Sequence, residues 1–300
     1  MTAAGLKGFT SAMPLHALQV IALLGALAAV LPMDCTSAMA ETPAPPSVEA
    51  SAEESRSSMS GREIYRRMLR NRYKRGVQEI EIVSTDPGGS EQTTVFVASL
   101  EDHRDENDDP TDGKNASLLI EVSSPFDMRH TRYLVVSKEP GPDDEFIYRP
   151  SERRVRRVDL KGTPLLGTDY TFRDLAYHDL EGATYKRLPD ETHDGVPVFV
   201  VEALVTDTLD DRIHKSLSYL EQEHFVPLRV RYWDEYGVEV KELRAEHASI
   251  ENFGSMWVAR RSKMIDLLQR TESRSTVLSL DADPHFTPTR FSLRRLAQGR

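Results

Sequence analysis

The chain has 300 residues, of which 39% are hydrophobic and 29% charged, a composition typical of one or two soluble globular domains with a sizeable core. Its formal net charge of -10 argues against a nucleic-acid-binding protein, because phosphate groups attract a positive surface. The single cysteine, Cys35, excludes a disulfide framework, and a core of this size needs none.

The first forty residues are predicted to be a signal peptide. Lys7 supplies a weak positive charge, and the apolar run 17–31 has the length of a signal-peptide core but is short for a membrane span. The small-residue triplet that ends at Ala40 fits the cleavage rule, so we expect cleavage after Ala40 and export. The alternative is an uncleaved N-terminal anchor. Cleavage would remove Cys35 and leave the mature chain without a thiol.

A polar leader and a helix follow. Residues 41–60 are rich in Pro, Ser, Ala and Glu, have almost nothing to bury and are predicted to be disordered. Ser60 and Glu63 form a capping box, and apolar residues then recur at four-residue spacing, which predicts an amphipathic helix from residue 61 to about residue 72. The polar side of this helix is interpreted as a solvated basic face; its arginines are Arg62, Arg66, Arg67 and Arg70.

From about residue 77 the pattern changes to short β-like runs separated by turns. Regular spacing with few helical intervals predicts a meandering antiparallel sheet rather than βαβ units. A helical insert near residues 170–180 and a final helix that begins after Pro288 complete one α+β domain, residues 61–300. The predicted strands are 78–84, 93–100, 117–123, 133–138, 145–149, 154–160, 196–205, 215–221, 227–233, 238–245, 257–266 and 274–280.

The common catalytic signatures G-x-S-x-G, H-E-x-x-H, Walker A and G-x-G-x-x-G do not occur in this sequence. The acidic loop 102–112 fails as an EF-hand because Pro110 and Leu119 stand at ligand positions, so a solvated hairpin tip is favoured over a weak metal site. Asp174 is interpreted as a helix-terminal group, and the alternative is a hydrolase that uses Asp169 or Asp174. We therefore expect no catalytic residue, no metal and no cofactor.

The stretch 146–180 joins an aromatic strand, an arginine-rich segment and a loop with Gly162 and Gly167. Arginine side chains pair with anionic head groups while apolar side chains hold tails, so this composition suits a surface that binds an amphiphile. The alternative is an edge strand that is protected by charge. The arginines of this segment are Arg153, Arg154, Arg156 and Arg157.

Several short segments occur here in a characteristic order: FIYRP at 146–150, RRVRRV at 153–158, GTDYTFRDL at 167–175 and a hairpin from Pro227 to Leu243. Upstream, SPFDMRHT at 124–131 looks like a P-x-D-x-[RK]-G-T element. In this order and spacing the segments resemble the outer-membrane lipoprotein-sorting (LolA-like) family. His130 stands where that family usually has glycine, so this turn is expected to differ.

The resemblance implies a strongly curved antiparallel sheet, a half-open barrel, with helices covering an apolar cavity that holds acyl chains of lipids or lipoproteins without covalent chemistry. We therefore predict a periplasmic carrier or binding protein for lipids or lipoproteins. The alternative is a non-carrier envelope scaffold that binds a membrane-protein partner through the arginine strand and the basic helix. Arg154 and Arg157 are the candidate head-group residues. The candidate acyl-chain contacts are Phe126, Met128, Leu134, Phe146, Tyr148, Leu165, Leu166, Tyr170 and Phe172.

Overall fold

One antiparallel sheet of thirteen strands organises the molecule. The structure, a computed structural model, describes residues 56–160, 162–175, 180–206, 213–254 and 256–298. All of them belong to one compact unit, residues 49–300. The signal peptide, the cleavage after Ala40 and most of the predicted leader lie outside the described residues and stay predictions. Within the described ranges, no helix has the length and apolarity needed to cross a membrane.

The described helices are few and short, and the strands dominate. The helices are α1 (Gly61–Arg70), α2 (Phe172–Leu175) and α3 (Leu293–Gln298). The strands are β1 (Arg75–Thr85), β2 (Glu91–Asp102), β3 (Lys114–Ser124), β4 (Arg132–Lys138), β5 (Asp144–Arg149), β6 (Arg154–Arg157), β7 (Ala183–His193), β8 (Val196–Val205), β9 (Lys215–Glu221), β10 (Pro227–Trp233), β11 (Glu239–Ala245), β12 (Ile250–Phe253), β13 (Met256–Ala259), β14 (Arg261–Asp266) and β15 (Thr271–Asp281).

The strand order joins two meanders at a central seam. Across the sheet the order is β6-β5-β4-β3-β2-β1-β15-β14-β11-β10-β9-β8-β7, while β12 and β13 form a separate hairpin. The first and last of the described strands, β1 and β15, therefore pair with each other in the middle. The strands β6 and β7 follow one another in sequence but lie at opposite edges. The predicted β-rich antiparallel sheet is confirmed, whereas a closed barrel or a strong curl is not found in the described residues.

The inner face of the sheet, as we name it, is covered by α1 and by residues 162–175, which we call the strap. Ile64 of α1 is fully buried against Phe199 and Leu220 at one end of the sheet. Leu165 and Phe172 of the strap lie on the strands at the other end. A row of cross-strand partners joins the region under α1 to the region under the strap, and these partners lie on one face because directly paired residues share a face. These partners are Val201, Ser218, Val230, Leu243 and Met264.

The start of α1 is fixed both by its sequence and by close packing. Ser60 adopts an extended backbone, and its side chain accepts a hydrogen bond from the backbone N–H of Glu63, as expected of an N-cap. Gly61 lies so close to β7 that a Cβ atom would come within 2.5 Å of the Arg187 backbone nitrogen. The predicted capping and helix are thus confirmed, and the glycine permits the contact with the edge strand.

The outer face carries a smaller layer formed by residues 286–298, which we call the C-terminal segment. Leu296 is fully buried against Leu119 and Leu134, and Phe291 packs beside them. Cross-strand partners Leu134 and Phe146 point to this face, whereas their neighbours Tyr133 and Ile147 point to the inner face. The helix in this segment begins at Leu293 rather than directly after Pro288.

Two strands were missed, one predicted strand is divided and another is shortened. The edge strand β7 contains Pro189 and several exposed charged side chains, a composition that predicts a loop. Edge strands nevertheless tolerate both proline and charged residues. The strand β12 was also missed, and the predicted strand 257–266 is divided between β13 and β14. The predicted strand 154–160 ends at Arg157. Of the predicted insert 170–180, the described residues form a helix over Phe172–Leu175.

Candidate functional site

A cleft of about 460 Å³ lies on the inner face, between the strands β2, β4 and β5 and the strap. Most of its lining is apolar, and polar groups occur at Gln92, Arg149, Asp159 and Thr163. This volume falls within the range of about 300–1,000 Å³ that is usual for small-molecule sites. The apolar lining residues are Met128, Tyr133, Ile147, Val158, Leu160, Pro164, Leu166 and Phe172.

The strap is held to the sheet by polar contacts from its G-x-D-Y-T-F motif. The Asp169 carboxylate accepts hydrogen bonds from the hydroxyls of Thr271 and Ser273 on β15, at 2.7 Å for Ser273. The Tyr170 hydroxyl lies 2.9 Å from the Ser262 hydroxyl on β14. Burial raises the pKa of Tyr170 well above its ordinary value, so its hydroxyl stays protonated. The motif therefore anchors the cover of the cleft across the central strands.

Asp174 caps the short helix of the strap and also reaches β11. Its Oδ2 accepts hydrogen bonds from the backbone N–H of Thr171 at 2.6 Å and from the Lys241 ammonium at 2.8 Å. This is the helix-terminal role predicted from the sequence, and the structure confirms it. The carboxylates of Asp169 and Asp174 are thus both engaged in holding the strap, which gives no support to the hydrolase alternative.

The strap also uses two consecutive residues with left-handed backbone. Leu166 has a φ of 55° and Gly167 a φ of 80°. A leucine seldom adopts this conformation, because its Cβ crowds the following carbonyl oxygen. Here the turn places the Leu166 side chain in the lining of the cleft, where it is almost fully buried.

The nine candidate acyl-chain residues do not form one group. Five of them lie on the inner face, and Met128, Leu166 and Phe172 line the cleft directly. Leu165 and Tyr170 are buried beside it in the same core cluster. Three others point to the outer face under the C-terminal segment; they are Leu134, Phe146 and Tyr148. Phe126 is 88% exposed in the turn between β3 and β4.

The two candidate head-group arginines also lie on different faces of the edge strand β6. Arg154 is the cross-strand partner of Arg149, which lines the inner cleft. Arg157 is the partner of outward-facing Phe146 and pairs with Asp144 at 2.9 Å. Both arginine side chains are more than half exposed. Because β6 is an edge strand, its arginines can protect the edge with charge and can also offer a surface to anionic head groups. The two interpretations of this segment are therefore compatible.

Arg149 is the cleft arginine that the sequence analysis missed. It ends β5, one residue before Pro150, and its side chain approaches Glu152 at 3.6 Å. Arg154 and Arg156 share that carboxylate at 3.7 and 2.5 Å, so three guanidiniums surround one acidic group at the rim of the inner cleft. The alternation of β5 could have identified it, since Arg149 shares a face with buried Ile147.

A second cleft of about 330 Å³ lies on the outer face beside the C-terminal segment. Leu134 and Phe146 form part of its floor, and the remaining apolar lining comes from Val136, Pro288, Phe291 and Leu293. Its charged residues are mixed in sign: Glu101, Lys114, Lys138 and Asp144, with His103 nearby. Its rim therefore shows no clear preference for an anion or a cation.

The acidic loop between β2 and β3 folds back onto the end of α1 instead of extending as a solvated hairpin tip. Asp108 accepts hydrogen bonds from Arg70 and Arg72, and buried Asp102 pairs with Arg72 and Arg104. The interpretation of the loop as solvated is therefore wrong at these two carboxylates. In the described part of the chain, no group of three or more His, Cys, Asp and Glu side chains could hold a metal ion.

The arginines of α1 are also paired with acidic side chains. Arg62 contacts Glu181, while Arg66 and Arg67 contact Glu63 on the same helix. Such partly exposed pairs contribute little to stability, but they reduce the positive charge that a scaffold surface would offer. The basic helix therefore gives the scaffold alternative no particular support.

Comparisons with known proteins place this geometry in context. A family profile described as "Uncharacterized protein" matches residues 114–298. The sequence has no match among curated proteins. A domain from Vibrio parahaemolyticus assigned as an outer membrane lipoprotein-sorting protein has a similar structure, with a TM-score of 0.70 and 21% identity over 82% of this chain and 100% of that domain.

Two further crystal structures are similar. A DUF1329 family protein from Desulfovibrio piger has a TM-score of 0.71 and 21% identity, covering 79% of this chain and 97% of its own. A LolA superfamily protein from Nitrosomonas europaea has a TM-score of 0.61 and 16% identity, covering 78% of this chain and 98% of its own. At these identities the likeness shows the fold alone, and it agrees with the resemblance found in the sequence motifs.

Proposed function

The chain belongs to the family described as "Uncharacterized protein", and on this premise we propose that it is a periplasmic carrier or binding protein for lipids or lipoproteins. Its fold, which is that of the LolA superfamily, supports this proposal. The observation that carries this proposal is the mainly apolar cleft under the strap. The assignment of residues 61–300 to one lipid-binding domain belongs to the same proposal.

An acyl chain would lie between the strap and the inner face. Met128, Leu166 and Phe172 would contact it, and each buried CH₂ would contribute about 0.8 kcal/mol. Leu165 and Tyr170 would act indirectly by holding the strap in place. Of the other candidates, Leu134, Phe146 and Tyr148 would take part only if a ligand used the outer face.

Arg149 and Arg154 are the residues that we propose for the head group. They face the same side of the β5–β6 hairpin, and with Arg156 they share a single carboxylate. A phosphate or carboxylate at the rim would accept hydrogen bonds from guanidinium groups that Glu152 satisfies only in part. Arg157 faces away from this rim and is a weaker candidate. Binding of this kind needs no covalent chemistry, cofactor or metal.

The experiment is a binding titration of the delipidated mature protein with a fluorescent fatty acid. Met128→Trp would fill the inner cleft, and Val136→Trp, a comparable enlargement, would fill the outer cleft. We expect Met128→Trp to abolish most of the binding and Val136→Trp to leave it unchanged. The proposal fails if the wild-type protein takes up no fatty acid and yields no lipid on solvent extraction after purification. Loss of binding in Val136→Trp alone would move the site to the outer face.

A further inference from the structure

Three arginines and one glutamate form a cluster on the outer face, away from the inner cleft. Glu121 and Arg132 are direct cross-strand partners on β3 and β4. The C-terminal segment adds two more guanidiniums: Arg290 donates to Glu121 at 2.9 Å and to the Ser99 hydroxyl at 2.6 Å, and Arg295 donates to Glu121 at 3.2 Å. The single carboxylate of Glu121 therefore pairs with Arg290 and Arg295, while Arg132 lies beside it on the neighbouring strand without an ion pair to it among the described residues.

The hydrogen-bonding capacity of these arginines is not satisfied. Arg132 Nε, Arg290 Nε and Arg295 Nη1 are shielded from solvent and have no hydrogen-bond partner among the described residues. Arg132 as a whole is only 8% exposed; its Nη2 donates to the Ala297 carbonyl, and its guanidinium lies 4.4 Å from the centre of the Tyr148 ring. Buried donors nearly always have a partner, so three unpaired donors in one cluster require an explanation.

The net positive charge of the cluster also requires an explanation. Three guanidiniums against one carboxylate leave a surplus of two positive charges. Burial lowers the pKa of Arg132 and of Arg290 below the ordinary arginine value, although the charge of Glu121 partly opposes this shift. An arginine does not lose its proton in proteins, so buried positive charge is stabilised by an anion rather than by neutralisation.

We propose that this cluster, the three-arginine site, binds a phosphate-type oxyanion between the sheet and the C-terminal segment. A planar carboxylate matches one guanidinium fork, whereas the unpaired donors here belong to three separate guanidiniums on two elements. A tetrahedral oxyanion can accept hydrogen bonds from several directions at once. The anion is either free phosphate or the phosphate of a lipid head group.

Binding at this site would fasten the C-terminal segment to the sheet. Arg290 and Arg295 belong to that segment, while Arg132 belongs to β4. An anion shared between them would add to the apolar contact of Leu296 with Leu119 and Leu134. The site is independent of acyl-chain binding on the inner face, and its test uses ligands without long chains.

The test measures binding of inorganic phosphate to the full mature protein by calorimetry and by thermal unfolding in phosphate against chloride at equal ionic strength. Arg132→Gln and Arg295→Gln each remove one guanidinium of the site, and the second serves if the first fails to fold. Arg261→Gln is the matched control, because Arg261 is an exposed arginine paired with Glu246 elsewhere in the sheet. A water-soluble short-chain phosphatidic acid and acetate are titrated in parallel.

We expect phosphate or the short-chain phosphatidic acid to bind the wild-type protein and raise its unfolding temperature. Binding should weaken by about tenfold or more in either site variant, as expected for the loss of a charge-assisted hydrogen bond, and stay unchanged in Arg261→Gln. Binding of the phosphatidic acid alone would identify a lipid head group as the source. The proposal is wrong if neither phosphate compound binds, if acetate binds equally well, or if the control weakens binding as much as the site variants.

Discussion

The carboxylate of Asp174 and the ammonium of Lys241 are 2.8 Å apart, and they join the end of the strap to β11. Both side chains are largely shielded from solvent. The same carboxylate caps the helix α2 through Thr171. One acidic group therefore fixes both the local fold of the strap and its position on the inner face.

Asp174→Asn should loosen the strap. The amide keeps the size of the side chain but removes the charge that Lys241 pairs with, so we expect a loss of about 1–3 kcal/mol in the free energy of unfolding. Urea denaturation measures this loss, and hydrogen exchange should show faster exchange within residues 162–175. Asp127→Asn, at an exposed carboxylate in the turn after β3, should have no effect on either. Equal exchange in both variants would show that Asp174 does not hold the strap.

Gly61→Ala should destabilise the protein although alanine is the better helix former. Helix propensity alone favours alanine by about 1 kcal/mol. The added Cβ would meet the backbone of Lys186 and Arg187 at 2.7 and 2.5 Å, which cannot yield as a flexible side chain would. We expect overpacking to prevail and cost about 1–3 kcal/mol, measured by thermal or urea unfolding. Gly182→Ala, where nothing lies within 4 Å of the added atom, is the control.

His130→Gly should stabilise the turn between β3 and β4. His130 has a φ of 66°, a left-handed conformation that glycine adopts without steric cost. A Cβ in this region costs about 1–2 kcal/mol, and the greater chain entropy of glycine offsets part of the gain. We expect a net rise of about 0.5–1 kcal/mol in unfolding free energy. His130→Ala, which keeps the Cβ, should give no such rise.

Asp102 should make stability depend on acid pH. Burial alone would raise the pKa of this carboxyl, but hydrogen bonds from Arg104 and the charge of Arg72 outweigh burial and hold the pKa below its ordinary value. A carboxyl with a lowered folded pKa stabilises the protein above its unfolded pKa of about 3.9, and this contribution is lost as pH falls through the folded pKa.

Asp102→Asn tests this dependence by urea denaturation at about pH 7 and about pH 3. Near neutral pH the variant removes the buried carboxylate that pairs with both Arg72 and Arg104, so we expect a loss of about 3 kcal/mol. Near pH 3 the difference from wild type should shrink, because this pH lies below the unfolded pKa and the unfolded wild-type chain then gains a proton at Asp102 that favours unfolding. Asp283→Asn removes an exposed pair with Arg75 and should cost less than about 1 kcal/mol at either pH. A constant difference for Asp102→Asn would contradict the linkage.

The elements that could be predicted from the sequence are those marked by residues close together in the chain. The helix α1 has its capping box and four-residue spacing, and the turn of the predicted hairpin from Pro227 to Leu243 contains Gly237, which has a φ of 76°. The edge strand β7 was missed because more than half of its residues are exposed and it includes Pro189, so its hydrophobic alternation is weak. Simple alternation along β10 would put Leu228 on the same face as Tyr232, but the register shift after Pro227 turns Leu228 toward Val198 and Val200.

The residues of the candidate site were harder to predict from the sequence than the strands that carry them. Alternation indicates that Phe146 and Ile147 point to opposite faces, but it does not say which face a distant segment will cover. That depends on the strap and the C-terminal segment, which reach the sheet from far along the chain. Phe146, a predicted acyl-chain contact, therefore points to the outer face, whereas its neighbour Ile147, which was not predicted, lines the inner cleft. The exposure of Phe126, likewise, depends on a turn that no local pattern buries.

The placement of β6 and β7 at opposite edges has a consequence for how the polypeptide could be divided. The link from β6 to β7 contains the strap and is the one covalent connection between the meander β1–β6 and the strands β7–β15. A break in this link would produce two fragments of comparable size, each with its own consecutive strands. They would still share the β1–β15 seam and the packing of α1 on β7 and β8. The chain could therefore be studied as two complementary fragments. Their association through β1 and β15 could be measured separately from the packing of the strap over the cleft.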